Sequence, residues 1–106
     1  MRTPNYIYLV MYDITHDRTL QRVARLMEQQ GYERVNYSVW YGLRNPSENL
    51  VLKEKLKTWL TAEVAKGSRM YFLPIKTKDM EKMRTYDGKP IEQMDYWLGR
   101  INTAFF

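Results

Sequence analysis

The side chains best suited to chemistry in this sequence follow an apolar run. Residues Tyr6–Tyr12 are apolar throughout, and Asp13 comes directly after them. A carboxylate that leaves a buried strand either supports the following turn or binds a hard divalent cation such as Mg²⁺, which prefers oxygen ligands. One carboxylate is a weak metal site. Two copies of Asp13 facing each other across a twofold axis could hold one or two ions and activate water against a phosphodiester.

Further polar residues follow in the same loop and in the next strand. His16 could act as a general base or a metal ligand, but a solvated loop histidine is the simpler interpretation because no neighbouring residue is seen to orient it. Asp17 is predicted to cap the next helix, with Thr15 as the competing cap and metal binding as the alternative for Asp17. Ser38 has no nearby base, which excludes a serine nucleophile and leaves a hydrogen bond or a contact with a metal-bound water near Asp13.

The overall composition narrows the chemistry and the setting. The 106 residues contain no cysteine and one histidine, which excludes disulfides, thiolate catalysis and His-rich metal centres. Lysine and arginine number 17 against 12 acidic residues, and the formal net charge of +5 suggests a polyanionic partner. The longest apolar run is too short to span a bilayer, and the N-terminal residues are unlike a signal peptide. We therefore expect a cytoplasmic protein without a membrane segment.

The basic residues form two groups that could bind phosphates. The first group lies on the first predicted helix and the second lies after the last predicted strand: Arg18, Arg22 and Arg25, then Lys76, Lys78, Lys82 and Arg84. Either group could also be a solvated helix face. If several of these side chains share one surface, they predict salt-dependent binding to a nucleic-acid backbone, with little reading of base sequence.

The first half of the chain predicts a strand, a helix and a further strand region. The apolar run is the first strand, and apolar residues then recur at helical spacing until Gly31 ends the helix. Alternation of apolar and polar residues predicts a strand over Arg34–Tyr41, kinked into two short strands.

The second half predicts a long helix, an edge strand and an extension. Asn45-Pro46-Ser47-Glu48 has the pattern of a helix start with a capping box, and Gly67 is expected to end this helix. Residues 68–75 predict the last strand, which Pro74 places at a sheet edge. The extension is then predicted as a short helix, a turn and an amphipathic helix: Lys78–Arg84, Asp87-Gly88 and Pro90–Asn102.

This order of elements predicts an α+β, ferredoxin-like βαββαβ sandwich over residues 1–76, with residues 77–106 as an extension that packs on the core or on a partner copy. The two helices would cover one face of the sheet. The first strand, however, is apolar enough for burial on both faces. A homodimer packed through its sheets would supply the missing cover.

Two segments of the sequence resemble the Cas2 family of CRISPR adaptation proteins. They are Tyr6-Ile-Tyr-Leu-Val-Met-Tyr-Asp-Ile-Thr-His-Asp17 and Gly31-Tyr-Glu-Arg-Val-Asn-Tyr-Ser-Val-Trp-Tyr-Gly42. Members of that family open with an apolar strand ending in Tyr-Asp-Ile or Tyr-Asp-Val and continue, after one helix, into a segment like Arg-Val-Gln-Tyr-Ser-Val-Phe-x-Gly. The resemblance covers residues 6–75. Trp40 stands where the family usually has Phe, and the sequence after Lys76 is harder to align.

The resemblance implies a ferredoxin-like homodimer in which Asp13 and its symmetry mate are the catalytic, Mg²⁺-binding residues. It implies supporting roles for Tyr12, Arg34, Ser38 and Trp40. Family members are either Mg²⁺-dependent endonucleases that act on RNA or DNA, or structural adaptors that join dimers of the Cas1 integrase and hold duplex spacer DNA. A toxin-like ribonuclease of the virulence-associated D type shares the fold and is a third possibility. The sequence leaves the choice among these roles open.

Overall fold

Four strands form one antiparallel sheet, and its helices pack mainly on one face. The strands are β1 (Tyr6–Asp13), β2 (Glu33–Asn36), β3 (Val39–Gly42) and β4 (Arg69–Lys76). Between residues 5 and 91, the α-helices are α1 (Asp17–Gln29), α2 (Leu50–Leu60) and α3 (Thr77–Met80). The computed structural model describes residues 5–91 and Met94. The strand order is β2-β3-β1-β4 with every neighbouring pair antiparallel, which confirms the predicted ferredoxin-like α+β fold.

The main core lies between the sheet and helices α1 and α2. The core-facing stripe of α1 is formed by Val23, Leu26 and Met27, each at most 1% exposed. These side chains pack on Val10 and Tyr12 of β1. Burying an aliphatic side chain of this size stabilises a fold by roughly 1.5–3 kcal/mol, so this layer fixes where the end of β1 lies.

On the opposite face of the sheet, residues 5–91 and Met94 cover only about half the length of β1. Ile7 and Tyr41 are buried there beneath Met80 and Met94. Toward the other end of β1, the residues on this face are only half-buried, as at Met11. Within the described residues, β1 is therefore buried on both faces only toward its Tyr6 end, and the cover that a second copy would give the other half stays a prediction. The physical reason is that α3 is a single turn, and it packs near the Tyr6 end.

The region predicted as one kinked strand is a hairpin. Strands β2 and β3 pair with each other antiparallel, with an irregularity in register between Arg34 and Asn36. The chain reverses at Tyr37 and Ser38, and the side chain of Asn36 accepts the N–H of Tyr37. Asparagine commonly closes such turns through its own side chain. The prediction of two short strands is confirmed, and the predicted kink is a full reversal.

Helix α1 begins at a different cap from the predicted one. His16 is the N-cap residue, because its Nδ1 accepts the backbone N–H of Thr19 at 3.3 Å. Asp17 is instead the first residue of the helix, where a carboxylate favours the positive end of the helix dipole. The predicted cap at Asp17 is therefore one residue late.

Helix α2 also begins and ends differently from the prediction. Asn45 caps only a 3₁₀ turn over Pro46–Glu48, and Asn49 then caps α2 by accepting the N–H of Leu52 at 3.2 Å. The α-helix ends at Leu60 and is followed by a second 3₁₀ turn, so the predicted end at Gly67 is too far along the chain.

The extension begins with a helix that is shorter than the predicted Lys78–Arg84, because α3 ends at Met80. The turn at Asp87-Gly88 is confirmed, since Gly88 has φ +87° and its N–H donates to the carbonyl of Thr85 at 2.9 Å. Most of the predicted helix over Pro90–Asn102 lies outside the described residues. The division of the chain at residue 76 stays a prediction.

In the described part of the chain, no helix has the length and apolarity needed to cross a bilayer.

Candidate active site and nucleic-acid interface

Asp13 is the last residue of β1 and lies on the sheet face opposite α1 and α2. Alternate residues of a strand point to opposite faces. Val10 and Tyr12 are buried beneath the helices, so Met11 and Asp13 belong to the other face. The Asp13 side chain is exposed, and within residues 5–91 and Met94 its carboxylate has no hydrogen-bond or ion-pair partner. This carboxylate is therefore free to bind a cation.

Arg69 is a neighbour of Asp13 that the sequence interpretation missed. The antiparallel register of β1 and β4 places these two residues directly opposite each other, and both are exposed. They form no ion pair within 4.0 Å in the described residues. Directly opposed residues share one sheet face, so Arg69 brings a positive charge beside the carboxylate. Antiparallel pairing of the two equally long segments Tyr6–Asp13 and Arg69–Lys76, end to end, would have placed Arg69 opposite Asp13.

The loop between β1 and α1 is held at both of its ends. The Thr15 N–H donates to Oγ of Ser68 at 3.0 Å, and the Thr15 hydroxyl donates to the carbonyl of Lys66 at 3.1 Å. At the helix end, Nδ1 of His16 contacts both the N–H and the hydroxyl of Thr19. The interpretation of His16 as an unoriented, solvated residue is therefore wrong. Its Nδ1 is occupied by the cap, which leaves Nε2 as the nitrogen available to a ligand.

The four predicted supporting residues lie together around the end of β1. Trp40 donates from its indole Nε1 to the Tyr12 hydroxyl at 2.8 Å, and both side chains are at most 5% exposed. The guanidinium of Arg34 lies 5.0 Å from the centre of the Trp40 ring. Ser38 contributes its carbonyl, which accepts the Tyr12 N–H at 3.1 Å. Since Tyr12 and Trp40 point to the helix face, they would influence Asp13 through the backbone of β1.

The fit of this site to a metal depends on how many carboxylates one chain supplies. Among the described residues, no group of three or more acidic or histidine side chains could hold a metal ion. Asp13 offers one free carboxylate with open solvent around it. Mg²⁺ accepts one or two protein carboxylates and keeps several waters. The donor chemistry of the Asp13 carboxylate therefore suits Mg²⁺.

The three arginines of α1 occupy one stripe but have different neighbours. Positions 18, 22 and 25 are separated by four and three residues, which places them on one side of a helix. Arg18 is exposed. The guanidinium of Arg22 lies 4.5 Å above the ring of Trp59, so this side chain also joins α1 to α2. Arg25 lines a cavity that it shares with Arg34.

The second basic group lies at the far end of the sheet from Asp13. Lys76 is paired with Tyr6 at the opposite end of β4, and a strand of this length spans about 23 Å at roughly 3.3 Å per residue. Lys78 is exposed on α3, and Lys82 forms an exposed ion pair with Asp79 at 3.3 Å. Arg84 donates to two backbone carbonyls of its own segment. The structure therefore does not place this group beside Asp13.

Comparisons with known proteins agree with the fold and with the motifs. The family profile described as CRISPR associated protein Cas2 matches residues 6–83. A curated relative from Archaeoglobus fulgidus, named CRISPR-associated endoribonuclease Cas2 1, is 40% identical over 50 residues, which are 47% of this chain and 53% of the relative. The chain thus matches about half the length of that relative.

Two solved structures are similar in three dimensions. One is a chain of a partial Cas6-RT-Cas1–Cas2 complex, with a TM-score of 0.66, 25% sequence identity, and coverage of 83% of this chain and 98% of that one. The other is Streptococcus pyogenes Cas2, with a TM-score of 0.57, 24% identity, and coverage of 74% and 96%. The second likeness concerns the fold alone. The family match extends over most of the sequence and includes Asp13, and this chain therefore belongs to the Cas2 family of CRISPR-associated proteins.

Proposed function

We propose that this chain is a homodimeric, Mg²⁺-dependent endonuclease that acts on RNA or DNA in CRISPR spacer acquisition. The observation that carries the proposal is the free carboxylate of Asp13, at the open half of a sheet face and opposite Arg69. The curated relative from Archaeoglobus fulgidus is named an endoribonuclease, which supports the reaction class. The net charge of +5 suits a polyanionic substrate.

The proposed dimer would cover the open half of the sheet. On that face, Tyr71 and Leu73 of β4 are 55% and 49% exposed, beside the half-buried Leu9 and Met11 of β1. Contiguous exposed apolar side chains of this kind mark interaction sites. A second copy packed on this patch by a twofold rotation would bring the same patch, and its own Asp13, to the interface.

In the proposed reaction, the side chains of this chain bind and orient the substrate. Asp13 and its symmetry mate would hold Mg²⁺, which when bound supplies a Lewis acid and lowers the pKa of water. Arg69 lies opposite Asp13 and offers planar N–H donors that match a phosphate. Its role would be to hold the phosphodiester against the carboxylate edge of the sheet. The contacts of Thr15 and His16 would keep the loop after Asp13 in place.

The Asp13→Asn variant tests the proposal because asparagine keeps the shape and removes the charge. We expect Mg²⁺-dependent cleavage of a labelled oligonucleotide to fall to background, while sedimentation still shows a dimer. Asp79→Asn is the matched control, since Asp79 is also an exposed carboxylate but belongs to α3, at the other end of β4. Its cleavage activity should match that of the wild type. Cleavage that persists in Asp13→Asn would refute the proposed mechanism.

A second candidate function is a non-catalytic adaptor that binds duplex DNA and joins Cas1 dimers. The observation that favours it is the arginine stripe of α1, in which Arg18 is exposed and Arg25 lies beside Arg34. The similar chain in a complex whose name includes Cas1 supports Cas1 as a partner. In this function, the phosphate backbone supplies most of the binding free energy and Asp13 is dispensable.

Duplex binding measured against salt concentration tests this second candidate. Removing one cation that neutralises a phosphate should reduce the slope of log affinity against log salt by about 0.9. We expect this reduction for Arg18→Gln and not for Lys55→Gln, an exposed cation on α2 that serves as control. Asp13→Asn should leave duplex binding unchanged. An Arg18→Gln slope equal to that of the wild type would show that Arg18 does not contact the phosphate backbone.

A further inference from the structure

A second feature of the molecule is a cavity of about 320 Å³ between α1 and the β2–β3 hairpin. Helix α1 supplies Gln21, Arg25 and Glu28 to its wall, and the hairpin supplies Arg34, Tyr37 and Trp40. The volume is at the lower end of the range for small-molecule sites. The lining combines two aromatic rings and the apolar Leu20 and Ala24 with two cations, one amide and the carboxylate of Glu28, which is a more polar lining than that of an apolar packing defect.

Arg34 is held in a fixed position within this wall. One of its terminal nitrogens donates to the carbonyl of Tyr37 at 2.7 Å. Its guanidinium also lies 5.2 Å from the centre of the Tyr37 ring and 5.0 Å from that of Trp40. Guanidinium groups stack on aromatic faces while their remaining N–H donors stay available for phosphate. Arg34 is exposed, so an anion can reach those donors from solvent.

Tyr37 provides an aromatic surface beside these cations. Its side chain lies at the turn of the β2–β3 hairpin and is 68% exposed. An exposed ring of this kind is a platform on which a nucleobase can stack, and such stacking tolerates any base sequence. Arg25, on the opposite wall, adds a second cation within the same cavity.

The geometry favours an unpaired nucleotide over a base pair. In a duplex, both faces of each base are stacked and the Watson–Crick edges are paired, so a cavity of one-nucleotide size has no access to them. An unpaired base can leave the strand, stack on an aromatic ring and present its edge to polar side chains. Gln21 and Glu28 are the groups in this wall that can accept hydrogen bonds from such an edge.

We propose that this cavity binds one unpaired nucleotide at a single-stranded end, with the base on Tyr37 and the phosphate between Arg25 and Arg34. This inference rests on the proposed binding of nucleic acid and adds the form of the substrate, a strand with an unpaired end. It places the site on the helix face of the sheet, whereas Asp13 lies on the opposite face.

The test compares a blunt duplex with the same duplex carrying a one-nucleotide overhang of 2-aminopurine. Fluorescence anisotropy gives both affinities, and quenching of 2-aminopurine reports stacking of the base on an aromatic ring. Stacking of one base should make the overhang substrate about tenfold tighter. Tyr37→Ala should abolish this preference, because the variant keeps the carbonyl that Arg34 binds but loses the ring. Tyr37→Phe should keep it.

Tyr86→Ala is the matched control, since Tyr86 is fully exposed at a separate turn and should not affect the preference. The proposal is overturned if the wild type shows no preference and no quenching, or if Tyr37→Ala retains both. In either of those cases, binding of the blunt duplex would leave the proposed binding of nucleic acid in place. Absence of binding to both duplexes at low salt would instead overturn the binding of nucleic acid itself, and this inference with it.

Discussion

The buried hydrogen bond between Trp40 and Tyr12 gives a sharp test of how the end of β1 is held. The indole N–H of Trp40 donates to the Tyr12 hydroxyl at 2.8 Å, and the two side chains are 3% and 5% exposed. Tyr12→Phe keeps the ring and leaves the indole N–H without an acceptor. A buried donor left without a partner costs about 1–3 kcal/mol, so we expect the free energy of unfolding to fall by about 2 kcal/mol.

The Trp40→Phe variant and the double variant, which carries both Tyr12→Phe and Trp40→Phe, complete a double-mutant cycle. Trp40→Phe removes the donor and part of a packed ring, and we expect a loss of about 2–3 kcal/mol. In the double variant no donor is orphaned, so its loss should be smaller than the sum of the single losses by about 1 kcal/mol. Urea unfolding followed by far-ultraviolet circular dichroism measures each value, at one fixed protomer concentration because dimerisation would add to stability.

The control for this cycle is Tyr37→Phe, which removes a hydroxyl from a side chain that is 68% exposed. A change within about 0.5 kcal/mol is expected, as for most surface substitutions. The reasoning is refuted if Tyr12→Phe is as stable as the wild type within the same margin of about 0.5 kcal/mol. Strict additivity of the two single variants would refute it as well, because it would mean that the hydroxyl and the indole do not interact.

Two further predictions concern Tyr32, the first its contact with Gly42 and the second the ionisation of its hydroxyl. A Cβ at Gly42 would clash with Cδ1 of the Tyr32 ring. In urea unfolding, Gly42→Ala should therefore lower the free energy of unfolding by about 1–3 kcal/mol. A free energy of unfolding equal to that of the wild type would show that the Tyr32 ring moves freely. Burial of Tyr32 raises the pKa of its hydroxyl above the usual 10, so the folded state holds this proton longer than the unfolded state does. The contribution of Tyr32 to stability should therefore be fully present below pH 10 and be lost as the pH rises through the raised pKa. The Tyr32→Phe variant should show a shallower fall in stability above pH 10 than the wild type.

The strands and helices of the core were largely predictable from local patterns. The apolar run of β1 and the helical spacing after it depend on neighbours in sequence, and both elements lie where these patterns indicate. The antiparallel sheet and its two helices follow because each of these elements has one apolar side to bury. The motif around Asp13 was also visible in sequence, since a polar residue that ends an apolar run is recognisable without any fold.

The helix caps were less predictable because several residues competed for them. His16 and Asp17 are adjacent and both can accept the N–H groups of a first turn. The choice depends on where the chain enters the helix, and Thr15 sets that entry through contacts with Lys66 and Ser68, about fifty residues away. Asn45 and Asn49 competed in the same way, and Asn49 caps α2 from a fully buried position.

Asp13 was singled out from the sequence because its residue type and its position after an apolar strand are local properties, and its catalytic role is what the resemblance to the Cas2 family implied. Its surroundings depend on the tertiary structure. Arg69 becomes its neighbour only through the register of β1 with β4, which joins residues about fifty-five positions apart. No local pattern extends over such a distance, and for that reason the carboxylate was predicted while the cation beside it was found only in the fold.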